Sequence, residues 1–341
     1  MRARDVGILI GGLEPGDHDA ITDVEGVRVG HTTLIEGTNV RTGVTIVLPP
    51  ETPLFAGCHR LNGNGELTGL EWVRESGMLT TPIGITNTFS VGVVRDAIAA
   101  ESADDDAWSL PVVGETYDGF LNDAKGQHVT AEHTGAALRD AGGGVVAEGN
   151  VGGGTGMICH GFKGGIGTAS RVAGDHVVGV LVQANHGRRL RFRVDGVPVG
   201  GAVGNRVPLP NYDDAGSIIG VVATDAPLLP HQCDRLAQRA GFGVARMGGL
   251  GENSSGDLFL AFASGNRELG NTDEPASVRM LPNERMDVLF EAAVDATEEA
   301  ILNALLAAET MTGRAGHTAH ALEPELLLEA LGGLTDRIGP S

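Results

Sequence analysis

The chain has 341 residues and a formal charge of −20, from 44 acidic side chains against 24 Lys and Arg. A charge this negative disfavours nucleic acid as a partner, because contacts to phosphate need clustered basic residues. No run of 18 apolar residues is present, and the apolar segment 6–10 is too short for a signal-peptide core, so we expect a cytoplasmic protein without a membrane partner.

Short strands and helices alternate along the first half of the chain. The β-branched runs predict strands at 27–33, 43–48 and 112–113. Apolar residues at helical spacing predict helices at 67–76, 93–102 and 130–140. We expect Thr130 to cap the last of these and the glycines at 142–144 to end it, while the acidic run 104–106 is typical of an exposed loop.

The second half has the same mixed pattern. Strands are predicted at 177–185, 218–222 and 257–262, and helices at 230–240 and 286–311. In the last helix we expect Glu298 and Glu299 to be exposed. The basic segment 187–193 is predicted to be a solvated or interface strand. It does not indicate nucleic-acid binding, because no base-stacking aromatic residues flank it and the domain is not basic overall. Helices flank strands in both halves, which indicates an α/β protein.

Glycine is unusually frequent, with 53 residues. The segments 151–156 and 161–168 resemble phosphate-binding loops, but Lys163 precedes its glycines and is not followed by Ser or Thr. No helix is predicted directly after Gly156, as a dinucleotide fingerprint would require. We therefore predict close backbone packing here, and no nucleotide cofactor.

Metal binding is also not predicted. The pairs His317 with His320 and His128 with His133 lack both an HExxH pattern and a companion carboxylate, so capping or solvent-facing roles are favoured. The three cysteines form no CxxC pair, which indicates reduced thiols: Cys58, Cys159 and Cys233.

The most informative stretch is 208–224, where a turn-rich loop meets a β-branched strand at Ser217. A glycine before this serine can hold a strained peptide. The Ser217 hydroxyl could then attack the Gly216 carbonyl, and hydrolysis of the resulting ester would leave Ser217 with a free α-amino group as a general base. Local composition alone favours an ordinary strand-opening role for Ser217, because Gly-Ser before an apolar strand is common.

Several motifs in order along nearly the whole chain carry a resemblance. They lie at 21–31, 61–66 (LNGNGE), 86–88, 114–123 (beginning GETYDG), 149–171, 182–185 and 216–232 (beginning GSII). The chain resembles the self-processing L-aminopeptidase D-amidase/D-esterase and β-peptidyl aminopeptidase family. The resemblance implies a four-layer α-β-β-α sandwich like that of N-terminal-nucleophile hydrolases. It also implies one catalytic domain, 1–341, cleaved into an α-subunit, 1–216, and a β-subunit, 217–341.

The resemblance implies that Ser217 is both the cleavage residue and the nucleophile. Ser255 and Asp257 match the family's Ser-Gly-acid pair, although some members carry Glu at the position of Asp257. Side chains at i and i+2 of a strand share a face, so we expect both to reach one reacting atom. His231 is the other candidate base, but it opens a helix after Pro230, which favours a structural role.

By the same resemblance, Asn185 donates to the oxyanion and Tyr117 is a second donor in the pocket. Glu115 is the carboxylate that would hold the substrate's ammonium; a structural hydrogen-bonded pair is the alternative for Glu115 and Tyr117. The expected activity is removal of N-terminal residues from short peptides, amides or esters, without a metal or cofactor. Alternatives are hydrolysis of β-peptides or ω-amide oligomers, and an unprocessed homologue without activity. The expected assembly is a homo-oligomer of processed α/β heterodimers.

Overall fold

The computed structural model describes residues 1–101, 108–211, 216–270 and 274–338, with residues 205 and 333–338 described by their backbone alone. The predicted acidic loop at 104–106 lies outside these ranges, as do residues 212–215 of the loop before Ser217.

Strands and helices alternate along the described chain, as the pattern predicted. The strands are β1 (Arg28–Glu36), β2 (Val40–Leu48), β3 (Leu54–Gly63), β4 (Met78–Leu79), β5 (Ile83–Asn87), β6 (Val112–Thr116), β7 (Ile158–Cys159), β8 (Phe162–Lys163), β9 (Gly165–Ala173), β10 (His176–His186), β11 (Gly216–Thr224), β12 (Gly256–Ala263), β13 (Met311–Thr312) and β14 (Thr318–Ala319). The helices are α1 (Leu70–Ser76), α2 (Val91–Ala100), α3 (Ala131–Asp140), α4 (Gly200–Val203), α5 (Pro230–Arg246), α6 (Met286–Leu306) and α7 (Pro324–Ile338).

Two large sheets organise the chain. One has four strands in the order β1-β2-β5-β6, and the other has six in the order β4-β3-β12-β11-β10-β9. In the six-stranded sheet β11 and β12 are parallel neighbours, and α5 makes the connection between them. β10 runs antiparallel to β11 on its other side. The strand that begins with Gly216 is therefore central and hydrogen-bonded along both edges.

Three apolar clusters pack the sheets and helices together in four layers. One apolar cluster lies between the sheets and joins Val47 and Ile85 of the smaller sheet to Ile219 and Leu260 of the larger. A second packs α5 and α6 against the outer face of the six-stranded sheet, and a third packs α2 and α3 against the outer face of the four-stranded sheet. This is the α-β-β-α order that the family resemblance implied.

Close backbone packing at the glycine-rich segments is confirmed. A Cβ atom on Gly154 would lie 2.4 Å from the Ile166 amide nitrogen, and one on Gly153 would lie 2.2 Å from Gln183 Oε1. The side chain of Lys163 is fully buried, and its Nζ donates to the carbonyls of Gly164 and Gly154 at 2.8 and 3.2 Å. Lys163 therefore does not present its ammonium to a phosphate.

The predicted exposure of Glu298 and Glu299 is wrong, because both are fully buried. The last long helix also ends at Leu306 rather than 311. α6 packs against both the six-stranded sheet and α5, so more than one of its faces is covered. Glu299 pairs with Arg171 and with Arg4, and Glu298 Oε2 lies 2.6 Å from Arg246 Nε. A buried carboxylate needs such partners, and these are distant in sequence.

The basic segment 187–193 is not a strand. It contains a short 3-10 helix, Arg189–Arg191, in which Arg189 is buried and Leu190 is exposed. Arg189 donates to the carbonyls of His160 and Val207 at 3.0 Å each, so its guanidinium serves the backbone of neighbouring loops.

None of the helices in the described ranges combines the length and apolarity that a membrane crossing requires.

Candidate active site

Ser217 is the second residue of β11 and lies between β10 and β12. It is opposite Asn185 in the antiparallel register with β10. Its Oγ accepts a hydrogen bond of 3.0 Å from the backbone N–H of Gly256, at the start of β12. The side chain is 6% exposed, so the hydroxyl lies in a site from which most water is excluded.

Gly216 has a left-handed backbone conformation. Its φ is +65°, a region that a side chain makes unfavourable. A Cβ atom at this position would lie 1.6 Å from the Asn185 carbonyl oxygen. The peptide bond before Ser217 is thus held in a conformation that only glycine fits, directly beside the hydroxyl expected to attack it.

Asn185 has its amide fixed at both ends. Its Oδ1 accepts a hydrogen bond of 2.7 Å from the Ile158 N–H, and its Nδ2 donates to the Tyr117 carbonyl oxygen at 3.1 Å. An amide nitrogen has two hydrogens, so one remains for a further acceptor. The structure therefore places an oriented donor on the strand next to Ser217.

Ser255 and Asp257 are brought together at the same strand end. The Ser255 hydroxyl donates to Asp257 Oδ1 over 2.5 Å, and the Asp257 carboxylate also accepts the Ile218 backbone N–H. Burial raises the pKa of Asp257 to about 6, and Glu252 adds to this, while the bonds from Ser255 and Ile218 oppose it. The carboxylate lies beside the residue that follows the nucleophile.

The contact to Ser217 Oγ comes from Gly256, the residue between this pair, for which the sequence predicted no role in the site. Gly256 supplies it through its backbone, and no side-chain pattern marks a backbone donor. Two asparagines hold this segment: Asn62 Nδ2 donates to the carbonyls of Ser255 and Glu252, and Asn64 Nδ2 donates to Ser254 at 2.8 Å. The Asn-Gly-Asn-Gly motif was the available signal, but its role depends on β3 pairing with β12.

Glu115 is buried next to the same segment. Its carboxylate accepts the Glu66 backbone N–H at 3.0 Å and the Thr88 hydroxyl. Burial raises its pKa, and these two hydrogen bonds oppose the increase. A Cβ atom on Gly65 would lie 3.0 Å from Gly256 Cα and 3.2 Å from Glu115 Oε1. One glycine therefore separates the Glu115 carboxylate from the residue that contacts Ser217.

Tyr117 joins the site through its carbonyl oxygen, which anchors Asn185. Its side chain is 39% exposed, and its ring packs over Gly119. The same ring lines a cleft of about 290 Å³ with Asp123, Ala124, Lys125 and Arg314. The role of its hydroxyl as a second oxyanion donor stays a prediction.

A cleft of about 350 Å³ opens beside Gly216. Its walls include Ile158, Gly187, Leu190, Leu209 and Pro210, and they are largely apolar. It adjoins the acyl side of the Gly216–Ser217 bond and offers space for a small side chain next to the reacting carbonyl.

His231, His317 and His133 lie where they support the fold and not beside Ser217. Ser217 lies at the start of β11, whereas His231 is exposed in the first turn of α5, which follows the end of that strand. Each residue of a strand adds about 3.3 Å, so nearly the whole length of β11 separates His231 from Ser217. His317 stacks on Phe120 and bonds its carbonyl at 2.9 Å, and His133 caps α3 at Thr130, as predicted. His231 is thereby removed as a candidate base.

Comparison with known proteins identifies the family of the chain. Residues 19–319 match the peptidase family S58. The chain is 48% identical to the β-peptidyl aminopeptidase BapA of Sphingosinicella microcystinivorans, over 97% of this chain and 91% of that protein. It is 46% identical to BapA of Sphingosinicella xenopeptidilytica, over 92% of this chain and 86% of that protein.

Solved structures share the fold. A β-aminopeptidase of Burkholderia sp. matches with a TM-score of 0.93 and 54% identity, over 98% of this chain and 99% of that one. The L-aminopeptidase D-Ala-esterase/amidase of Ochrobactrum anthropi, described as a prototype of the serine aminopeptidases and a variant of the Ntn-hydrolase fold, matches with a TM-score of 0.90 and 44% identity, over 97% and 98%. The resemblance and the fold class predicted from the motifs are confirmed, and the chain belongs to peptidase family S58.

Proposed function

We propose that this protein is a self-processing aminopeptidase in which Ser217 cleaves its own chain and then acts as the catalytic nucleophile. The observation that carries the proposal is the left-handed Gly216 backbone beside Ser217, with the Gly256 N–H on Ser217 Oγ and the Asn185 amide on the adjacent strand. A carbonyl held in place beside a hydroxyl, together with two oriented donors, supplies the parts that an acyl shift needs.

In the processing step Ser217 Oγ attacks the Gly216 carbonyl carbon. The C–N bond breaks, the nitrogen takes up the hydroxyl proton, and an ester joins Gly216 to Oγ. Water then hydrolyses this ester, which gives a Gly216 carboxylate and restores the Ser217 hydroxyl. The products are the segments 1–216 and 217–341, held together by the shared six-stranded sheet, since β10 and β11 lie on opposite sides of the break.

In the hydrolytic cycle the neutral Ser217 amine accepts the hydroxyl proton as Oγ attacks the substrate carbonyl. The free amide hydrogen of Asn185 stabilises the oxyanion, the leaving amine departs protonated, and water releases the acyl group. Asp257 lies opposite Ile218, the residue that follows the new amine. Its negative charge favours the ammonium form of that amine between proton transfers. Glu115, near Gly256, is assigned to the ammonium of the substrate.

Among substrates, the comparisons favour the β-peptide alternative for the N-terminal residue. Two relatives at 48% and 46% identity are named β-peptidyl aminopeptidases, and the Burkholderia protein at 54% is a β-aminopeptidase, whereas the L-aminopeptidase is 44% identical. Rates on β-homoaminoacyl, L-α-aminoacyl and D-alaninyl p-nitroanilides test this order. A faster rate on either of the last two would reverse it.

Denaturing gel electrophoresis tests processing. The wild-type protein should give two bands, Ser217→Ala one band at the full 35.1 kDa with no hydrolysis, and Ser217→Cys, which keeps a nucleophile, two bands. An Ala variant that still splits would remove Ser217 as the attacking group. A single wild-type band without activity would instead identify an unprocessed, non-catalytic homologue.

We also propose a homo-oligomer of processed heterodimers, which light scattering after size exclusion would test.

A further inference from the structure

A cluster of one cysteine and two histidines lies directly behind the Asn185 amide. Cys159 ends β7, His160 occupies the turn to β8, and His186 ends β10. Cys159 Sγ and one nitrogen of each imidazole all lie within 4.8 Å of one another, and the three side chains are buried. Sequence spacing predicted no metal here, because His186 joins the other two only through the pairing of distant segments.

One imidazole nitrogen of the cluster is not satisfied by the surrounding protein. Nε2 of His160 is buried without a hydrogen-bond partner among the residues that the structure describes, whereas Nδ1 of His186 faces the Cys159 thiol. His160 Nδ1 lies 3.4 Å from the Arg188 carbonyl oxygen. The tautomer that donates to this carbonyl carries its lone pair on Nε2, and such an outer carbonyl is what commonly orients a metal-bound histidine.

The distance between sulfur and nitrogen also fits a shared ion. Cys159 Sγ and His186 Nδ1 are 3.8 Å apart. Metal distances of about 2.3 Å to sulfur and about 2.0–2.1 Å to nitrogen, at an angle of about 120°, place the two ligands about 3.8 Å apart. The pair Cys159 and His186 therefore has the separation expected of two ligands of a three-coordinate ion.

We propose that Cys159, His160 and His186 form a binding site for a soft monovalent ion, Cu⁺. The ion replaces the thiol proton, which leaves to solvent, so the thiolate and Cu⁺ together are neutral. Zn²⁺ would leave a net positive charge in a buried site, next to Arg189, whose Nε donates to the His160 carbonyl at 3.0 Å. Burial penalises that net charge, and a cysteine with two histidines is a donor set that copper accepts.

An ion in this site would connect the segments that hold Asn185. The Ile158 N–H that fixes Asn185 Oδ1 precedes Cys159, and the His160 N–H donates to the His186 carbonyl at 2.7 Å. Bound Cu⁺ therefore links β7 to β10 at the oxyanion donor. We expect it to raise the Tm, as any ligand of the folded state alone does.

The test uses the full chain in a Cys58→Ser background, because Cys58 is half-buried beside His59 and offers copper a second thiol. The protein is loaded anaerobically with Cu⁺ and excess ascorbate, challenged with bicinchoninate, desalted and measured for copper. We expect one Cu⁺ per chain, and at least about tenfold weaker retention in Cys159→Ser and in His160→Asn. His160→Asn places Asn before Gly161, and this pair suits a turn in which φ is +50° at residue 160 and +71° at residue 161. Cys233→Ser is the control, because it removes a thiol but keeps the proposed site.

X-ray absorption of the loaded parent protein should show one sulfur and two nitrogen ligands, which keeps the test valid if a variant misfolds. Equal retention by Cys159→Ser, no retention by the parent, or copper with only nitrogen and oxygen ligands would overturn the proposal. Tighter retention of Zn²⁺ than of Cu⁺ in a parallel loading would overturn it as well.

Discussion

The backbone N–H of Gly256 donates to Ser217 Oγ over 3.0 Å. This contact follows from the parallel register of β11 and β12, in which Ile218 is opposite Asp257, so Ser217 lies beside Gly256. An Oγ that accepts a backbone hydrogen bond keeps its own proton available to a base. The same donor stabilises negative charge that develops on Oγ during attack.

Gly216→Ala should greatly slow self-cleavage. A Cβ atom at φ +65° is strained, and it would lie 1.6 Å from the Asn185 carbonyl oxygen, so the peptide must move away from its position beside Ser217. The fraction of intact chain on a denaturing gel over time measures the effect. Gly143→Ala is the matched control, since a Cβ atom there meets nothing within 4 Å. Equal cleavage rates in both variants would show that the Gly216 conformation does not matter.

Asn185→Asp should lower kcat by about 10²–10³-fold, because it replaces the oxyanion donor with an acceptor of the same shape. The Ile158 N–H can still bond the retained oxygen, so the strand pairing is kept. The measurement is kcat on the fully processed fraction, with circular dichroism as the check on folding. An unchanged kcat would exclude Asn185 from the oxyanion site.

Asp257→Asn should flatten the pH dependence of stability in an uncleaved Ser217→Ala chain. The folded-state pKa of Asp257 is raised from 3.8 to about 6, so its stabilising contribution is full below pH 3.8 and is lost as the pH rises through about 6. Between pH 4 and 7 the free energy of unfolding should fall less in Asp257→Asn than in the parent chain. The difference between the two decreases should be at most about 3 kcal/mol. Urea unfolding at both pH values measures this, with the exposed Asp287→Asn as control. Parallel curves for the parent and Asp257→Asn would contradict it.

The activity of the processed enzyme should rise with pH through an inflection near or somewhat below the free α-amino value of about 7.7–8.0. The Ser217 amine must be neutral to accept the hydroxyl proton. Removal of the adjacent negative charge in Asp257→Asn lowers the pKa of the ammonium, so the inflection should move to lower pH. Full activity after selective acetylation of the Ser217 amine would place the base elsewhere.

Long periodic segments were predictable and short or glycine-rich ones were not. β10 and β11 lie close to their predicted ranges, because a β-branched run is a local signal. α5 begins at Pro230 as predicted but continues through Gly241 to Arg246, beyond its predicted end at residue 240. β9 contains glycines that weaken a strand pattern, and it forms because β10 pairs with it along nine residues. The burial of Glu298 and Glu299 depends on Arg246 and Arg171, which no helical periodicity reveals.

By itself the sequence determined the family and the Gly216–Ser217 junction, because both are marked by contiguous motifs, while the layered fold was predicted only through the family resemblance that these motifs carry. Only the tertiary structure decided what surrounds Ser217: the Gly256 N–H, the Asn185 amide held by Tyr117 and Ile158, and the cysteine and histidines behind it. These contacts depend on strand register and on backbone groups that every residue carries alike. A pattern of side chains therefore cannot specify which backbone group meets which atom until the two sheets have formed.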